Sequence, residues 1–278
     1  MTVSDIIKQA LKEDIGNGDY TSLSTVPSET KGKCQLKIKE SGVVSGVNIA
    51  KEVFLQVDNT LEVNIFIEDG TPVKYGDIVM EISGSSISML TAERTALNFM
   101  QRMSGIATYT RKIVDKLKGF DTKVVDTRKT TPLLRQLEKQ AVRDGGAENH
   151  RFGLYDMILI KDNHIDFAGG ISNAIGACVN YLEKNNLNLP IEIETRNIDE
   201  VNQVLAVGKV NRIMLDNFSY SDLKKAVKLI DCRYETEASG GVNLSTVRKY
   251  ARCGVDYVSI GALTHHISSL DMSLLTIS

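Results

Sequence analysis

Tryptophan is absent from the sequence, and cysteine and proline are scarce at four residues each. Cys34, Cys178, Cys232 and Cys253 form no CxxC pair and have no histidine at zinc-ligand spacing, so the pattern signals neither a disulfide framework nor a structural zinc. Thiols of this kind belong in a reducing, cytoplasmic compartment. No run approaches the roughly 18 apolar residues of a membrane span. The start, Met1-Thr2-Val3-Ser4-Asp5, lacks the basic and then apolar pattern of a secretory signal. A charge excess of one sign is missing too. The formal net charge is −2, which argues against the strongly basic face that bulk binding to nucleic acid or an anionic membrane requires. What is present is an ordinary globular mixture, 42% hydrophobic and 24% charged over 278 residues. That is enough for a sizeable core and for two domains.

The pattern changes near residue 110, which divides an expected domain 1–110 from 111–278. The first part reads as a helix, short alternating strands with glycine turns, and a long helix. Strand candidates are Gln35–Lys39, Leu61–Ile67 and Asp77–Ile82, with turns at Ser41-Gly42, Asp69-Gly70 and Ser83-Gly84. The stretch Glu68–Gly84 is similar to the hammerhead fold of lipoyl and biotinyl carriers. It shows no exposed lysine beside methionine at a hairpin tip, and reads as scaffold. In the helix expected over Thr91–Leu117, Ala96, Met100, Met103 and Ala107 form one apolar stripe. Arg94, Asn98 and Arg102 fall nearly opposite, which on periodicity alone is a solvated face.

From about residue 120, short apolar strands alternate with helical stretches: Lys123–Asp126, Met157–Ile160, Ile191–Ile193, Arg212–Leu215, Tyr234–Thr236 and Tyr257–Ile260. Parallel βαβ units follow, and six strands where a full barrel has eight make an incomplete or irregular barrel. Each strand runs into polar residues or glycine: Asp126-Thr127-Arg128-Lys129, Lys161-Asp162-Asn163-His164, Glu194, Asp216-Asn217, Ser239-Gly240-Gly241 and Gly261. In such a barrel the C-terminal strand ends converge on one face, so these groups would ring a pocket. Glycines after the last two strands admit a phosphate close to backbone N–H groups, with a following helix dipole to assist; tight turns needing positive φ are the alternative. A helix opened by Thr131-Pro132 and closed by Gly145 carries Arg135, Lys139 and Arg143 at a spacing of four, partly as an exposed face. Arg128 and Lys161, at strand ends, need anionic partners. Glu194 and Asp216 on adjacent strand ends could act as general acid and base or share a divalent cation, and magnesium is the more economical reading beside a phosphate site.

DTRKTTP (126–132), GGAENHRFGLYDMILIKDNH (145–164), IEIE (191–194), MLDN (214–217), EASGG (237–241) and GVDYVSIGALTH (254–265) occur in this order, after AERTALNFMQRMSGIAT (92–108). On these motifs the chain closely resembles the quinolinate phosphoribosyltransferase family over nearly its whole length. The resemblance implies an N-terminal α/β sandwich domain, an irregular βα barrel of about seven strands and a head-to-tail homodimer. It also implies the reaction of quinolinate with phosphoribosyl pyrophosphate, with magnesium, to nicotinate mononucleotide, pyrophosphate and carbon dioxide. Carried over residue by residue, Arg128, His150, Arg151 and Lys161 resemble quinolinate ligands. Arg94 resembles another, donated across the dimer interface, against the solvated-face reading. Lys129 would face the pyrophosphate. Glu194 and Asp216 resemble the ribose and magnesium carboxylates, and Ser239, Gly240 and Gly261 the 5′-phosphate cradle. The resemblance thus makes Lys129, Lys161, Glu194 and Asp216 the expected catalytic residues. Leu133, where the family often has glycine, and Gln140 and Asp144 depart from the pattern. Rival readings are a sister branch linked to molybdenum transport, a transferase that does not decarboxylate, a non-catalytic metabolite-binding protein, and a Schiff-base lyase with Lys161 as nucleophile.

Overall fold

The computed structural model describes residues 1–277. Contacts divide the chain into two compact units. Met1–Arg111, Thr130–Gly146 and the residues from Leu263 onward form the first; Lys112–Lys129 and Ala147–Ala262 form the second.

The first unit holds the early strands, β1 (Lys31–Ile38), β2 (Gly42–Val43), β3 (Glu62–Ile65), β4 (Pro72–Val73) and β5 (Ile78–Ser85). β1 alternates intermediate and buried residues through Cys34, Leu36 and Ile38, the period-2 mark of a half-buried strand. It pairs antiparallel with β5, Leu36 opposite Met80, and the register slips at Leu36/Lys37. Glu68–Gly84 is scaffold, since β4 pairs with β2 while β5 joins β1 and β3. The long helix, Ser86–Lys116, begins a turn earlier than expected because the Ser85 Oγ accepts from the Ser88 amide and caps it. Its stripe of Ala96, Met100, Met103 and Ala107 is buried as expected.

The second unit contributes β6 (Lys123–Val125), β7 (Ile158–Ile160), β8 (Ile191–Thr195), β9 (Arg212–Asp216), β10 (Glu235–Ser239) and β11 (Tyr257–Ser259). They form one parallel sheet in the order β6-β11-β10-β9-β8-β7. A single-residue bridge, Val125 to Glu148, adds a seventh position beside β6. This is the irregular, incomplete βα arrangement expected. The last strand, β12 (Met272–Ile277), returns to the first unit and pairs antiparallel with β1.

Between β6 and β7 the chain passes through the first unit, and there the reading of the helix changes. It starts at Arg135 rather than Pro132, and no side chain caps it. Leu133 sits at φ 68, a left-handed conformation that a helix cannot contain. Gly145 closes it as expected, its amide bonding the Ala141 carbonyl at 3.0 Å. Of the basic series expected in part on an exposed face, only Arg143 is exposed, and Lys139 is buried together with Leu137, Glu138, Ala141 and Val142. Arg102 likewise leaves the solvated face, because its guanidinium meets the buried Glu138 carboxylate at 2.6 Å and the Thr131 hydroxyl at 2.7 Å. No helix among the described residues is long and apolar enough to cross a membrane.

Candidate active site

Alternation along the parallel strands builds the site. Every second side chain of a strand faces the same way. The register sets Glu192 beside Arg212, Glu194 beside Met214, Met214 beside Glu237, and Asp216 beside Ser239. These residues share one face of the sheet, while Ile193, Ile213, Leu215, Ala238 and Val258 are buried on the other. Branched aliphatics ordinarily fill such an interior; here carboxylates and a guanidinium do.

A cavity of about 330 Å³ opens on the charged face. Of the expected residues, Arg128, Lys129, His150, Arg151, Lys161 and Ser239 line it, joined by Thr127, Leu159, Met214, Glu237 and Ser259. Arg128 follows β6, and its Nε is buried with no hydrogen-bond partner among the described residues. The Arg151 Nη1 donates to the Met157 carbonyl at 3.2 Å. Burial, with the charge of Arg128 adding, lowers the pKa of the Arg151 guanidinium. Two crowded guanidiniums of this kind gain from an anion placed between them.

Lys161 is the N-cap of helix Asp162–Ala168, and its amide donates to the His164 Nδ1 at 2.9 Å, which gives the KDNH run a local structural purpose. The Lys161 Nζ lies 3.4 Å from the Glu194 Oε2. Burial raises the pKa of Glu194, Lys161 draws it back down, and the charge of Asp216 on the neighbouring strand raises it again. Asp216 accepts from the Asn217 amide group at 2.6 Å.

Asp126, expected among the strand-end site residues, is fully buried and anchors the turn that carries His150: it accepts from the His150 amide at 2.8 Å and the Asn149 side chain at 2.7 Å. Beneath the cavity the His150 Nε2 stands 2.9 Å from Glu192 and 3.4 Å from Glu237. Arg212 reaches Glu237 at 3.0 Å and Glu235 at 2.9 Å, with its guanidinium 3.8 Å over the Tyr257 ring. Burial works to lower the pKa of the imidazole, and the hydrogen bonds and charges of Glu192 and Glu237 override it and raise it. The Arg151 amide, which donates to Nδ1 at 2.7 Å and needs that nitrogen bare, resists protonation. Both ring nitrogens are therefore engaged by the protein.

Reading strand ends alone misses Glu192, Arg212 and Glu237. The signal that finds them is the same two-residue period: IEIE, RIMLD, ETEAS and YVS carry polar or inward residues at every second position.

Ser239 reaches the cavity, whereas Gly240 and Gly261 are outside its lining. Gly240 has φ 91, and a Cβ there would stand 2.1 Å from the Asn217 Oδ1, so a tight turn alone accounts for glycine at that position. The helix after β10 has five residues and starts only at Val247, and the helix after β11 has four, so the expected dipole contribution is small. Arg94 is exposed on the long helix and is not part of the cavity wall.

A family described as quinolinate phosphoribosyl transferase matches this chain in two parts, its N-terminal domain over residues 19–104 and its C-terminal domain over 106–275. A mitochondrial quinolinate phosphoribosyltransferase [decarboxylating] of Nicotiana tabacum is 43% identical over 98% of this chain and 81% of its own length. A probable nicotinate-nucleotide pyrophosphorylase [carboxylating] of Bacillus subtilis is 39% identical over 99% and 93%. The crystal structure of NadC from Streptococcus pyogenes superposes with a TM-score of 0.94 at 39% identity, covering 99% of this chain and 97% of that one. With both domains matched in order and relatives this similar along nearly the whole length, the chain belongs to the quinolinate phosphoribosyltransferase family.

Proposed function

We propose that this chain transfers the phosphoribosyl group of phosphoribosyl pyrophosphate to quinolinate and releases the 2-carboxylate as carbon dioxide, giving nicotinate mononucleotide and pyrophosphate. The observation that carries this reading is the cavity wall: Arg128, Lys129, His150, Arg151 and Lys161 converge on one space, and the Arg128 Nε is buried without a partner. A ring dianion matches that demand. Forked guanidiniums fit carboxylates, and each charge-assisted bond is worth about 1.5–3 kcal/mol against desolvation.

Held by Arg128, Arg151 and Lys161, the pyridine nitrogen attacks C1 of the ribose as the C1–oxygen bond to pyrophosphate breaks. Lys129 stabilises the charge gathering on the leaving group. The positive charge of the quaternised nitrogen then stabilises the electron pair left at C2 when the carboxylate departs as carbon dioxide, and a proton from solvent takes up that pair, so the protein's task there is orientation. Glu194 and Asp216 suit magnesium: they stand on neighbouring strands, burial and then the charge of Asp216 raise the pKa of Glu194, and one or two such groups are what this ion takes from a protein. Magnesium would supply positive charge to the pyrophosphate and ribose oxygens. We assign the assembly as a homodimer in which Arg94 completes the partner's site. The four cysteines are free thiols, which fits a reducing, cytoplasmic setting.

Purified protein supplied with quinolinate, phosphoribosyl pyrophosphate and magnesium should release labelled carbon dioxide and form nucleotide in equal amounts, and a chelator should stop both. Glu194→Ala and Asp216→Ala should weaken use of phosphoribosyl pyrophosphate far more than binding of quinolinate. Efficient turnover of nicotinate, whose single carboxylate leaves the half-buried guanidiniums of Arg128 and Arg151 short of an anion, would sink the assignment.

A further inference from the structure

Four charged or ionisable groups occupy interior positions of β8, β9, β10 and the turn before β7, where a barrel core is normally apolar. Glu192 and Glu237 are fully buried, and His150 and Arg212 nearly so. A buried set of this kind is weak evidence for stability, because well-packed apolar side chains of similar volume often serve a core as well or better. Its retention therefore needs a reason outside folding, and its geometry supplies one. The Nε2 of His150 faces the two carboxylates at 2.9 and 3.4 Å, and Nδ1 takes the Arg151 amide at 2.7 Å. On the far side Arg212 holds Glu237 at 3.0 Å, and Tyr257 backs Arg212 at 3.8 Å. The chain of contacts runs from the sheet interior through the imidazole to the main chain of Arg151, whose side chain lines the cavity.

We propose that Glu192, Glu237 and Arg212 are positioning residues, which lock the His150 ring and through it the Arg151 main chain in the geometry that receives the acceptor's carboxylates. The inference rests on the function proposed above and adds a division of labour within it. Arg128, Arg151 and Lys161 meet the acceptor, and His150 is a held ring in the wall rather than a free donor. His150, Glu192 and Glu237 also offer ligand atoms within 4.8 Å of one another. Arg212 already neutralises Glu237, so the cluster carries its own cation in place of a metal.

The test uses Glu192→Leu, Glu192→Gln and Arg212→Met in the full-length protein. Imidazole nitrogen NMR of the unliganded enzyme reads the ring without any turnover. At a pH above the raised pKa of the imidazole, the wild type should show His150 with its proton on Nε2 and a bare Nδ1, and Glu192→Leu should disperse or shift that signal. Steady-state kinetics should show KM for quinolinate rising about ten- to hundredfold in Glu192→Leu, with KM for phosphoribosyl pyrophosphate within about twofold. Glu192→Gln keeps an acceptor for Nε2–H and should recover much of the loss. If Glu192→Leu fails to fold, the same split must appear in Arg212→Met. Unchanged His150 signals in a folded variant overturn the proposal, as does a loss of melting temperature with unchanged quinolinate KM. Failure of the wild type to use quinolinate at all would instead remove the proposed function, and the NMR result would still decide whether the ring is locked.

Discussion

Each unit of the molecule sets an arginine against a buried glutamate, and the two arrangements end differently. In the first, the Glu138 carboxylate takes the Arg102 guanidinium on one oxygen and the Thr131 amide on the other, and Arg102 goes on to the Thr131 hydroxyl and the Thr264 carbonyl. In the second, Arg212 and Glu237 lead to Glu192 and His150, and Glu237 and His150 also line a cavity. The first set has the ordinary work of joining a helix to a turn. The second borders a space walled by cations with an unpartnered guanidinium nitrogen. Buried charge alone does not mark function; buried charge opening onto a cavity with unmet hydrogen-bonding capacity does.

The largest expected effects lie on the cavity side. Arg94→Ala and Lys161→Ala should each lose about ten- to more than a hundredfold in kcat/KM, from contacts of about 1.5–3 kcal/mol. If Arg94 acts across a dimer, re-forming dimers from equal amounts of the two variants should return about a quarter of wild-type activity, since about half the dimers are mixed and each has one intact site. Mixed dimers detected by mass spectrometry but inactive would remove Arg94 from the partner's site.

On the first unit's side, Glu138→Ala should cost about 2–3 kcal/mol in denaturant unfolding, below the full penalty for a buried pair because Arg102 is partly exposed. Quinolinate KM of the folded variant should stay as in the wild type. A tenfold rise would erase the contrast between the two sets.

The smallest effect concerns Asp69, where burial raises the pKa to about 6, the Val47 amide opposes, and the charge of Asp144 adds to the rise. The folded state then holds this proton more tightly than the unfolded chain. Stability is favoured while Asp69 is protonated, declines as pH climbs from about 4 through 6, and carries the whole cost above that. Asp69→Asn, which keeps an acceptor for the Val47 amide at 2.8 Å in the wild type, should flatten the profile by about 1–3 kcal/mol. Equal differences from wild type at pH 4.5 and 7.5 would mean that Asp69 does not titrate in this way.

By itself the sequence determined the parallel strands, the buried stripe of the long helix, the Gly145 stop and the run of polar strand ends. These depend on the period of hydrophobicity and on the backbone freedom of single residues, both local properties. Arg128, Lys129 and Lys161 of the cationic wall were legible for the same reason, because strand ends of a βα unit share one face, whereas His150 and Arg151 were reached only through the family resemblance. Tertiary structure alone decided which charges are spent on partners. Arg102 and Lys139 have helical spacing typical of surface residues, and only packing within the first unit buries Lys139 and half-buries Arg102 against Glu138. It also decided that Asp126 anchors a turn and that His150 has both nitrogens occupied. Glu192, Arg212 and Glu237 stand at inward positions that alternation could have exposed, but their pairing crosses three strands and a distant turn. Hydrogen-bond partners far apart in the chain leave no periodic trace, so a sequence can present a charge while only the fold shows where that charge is satisfied.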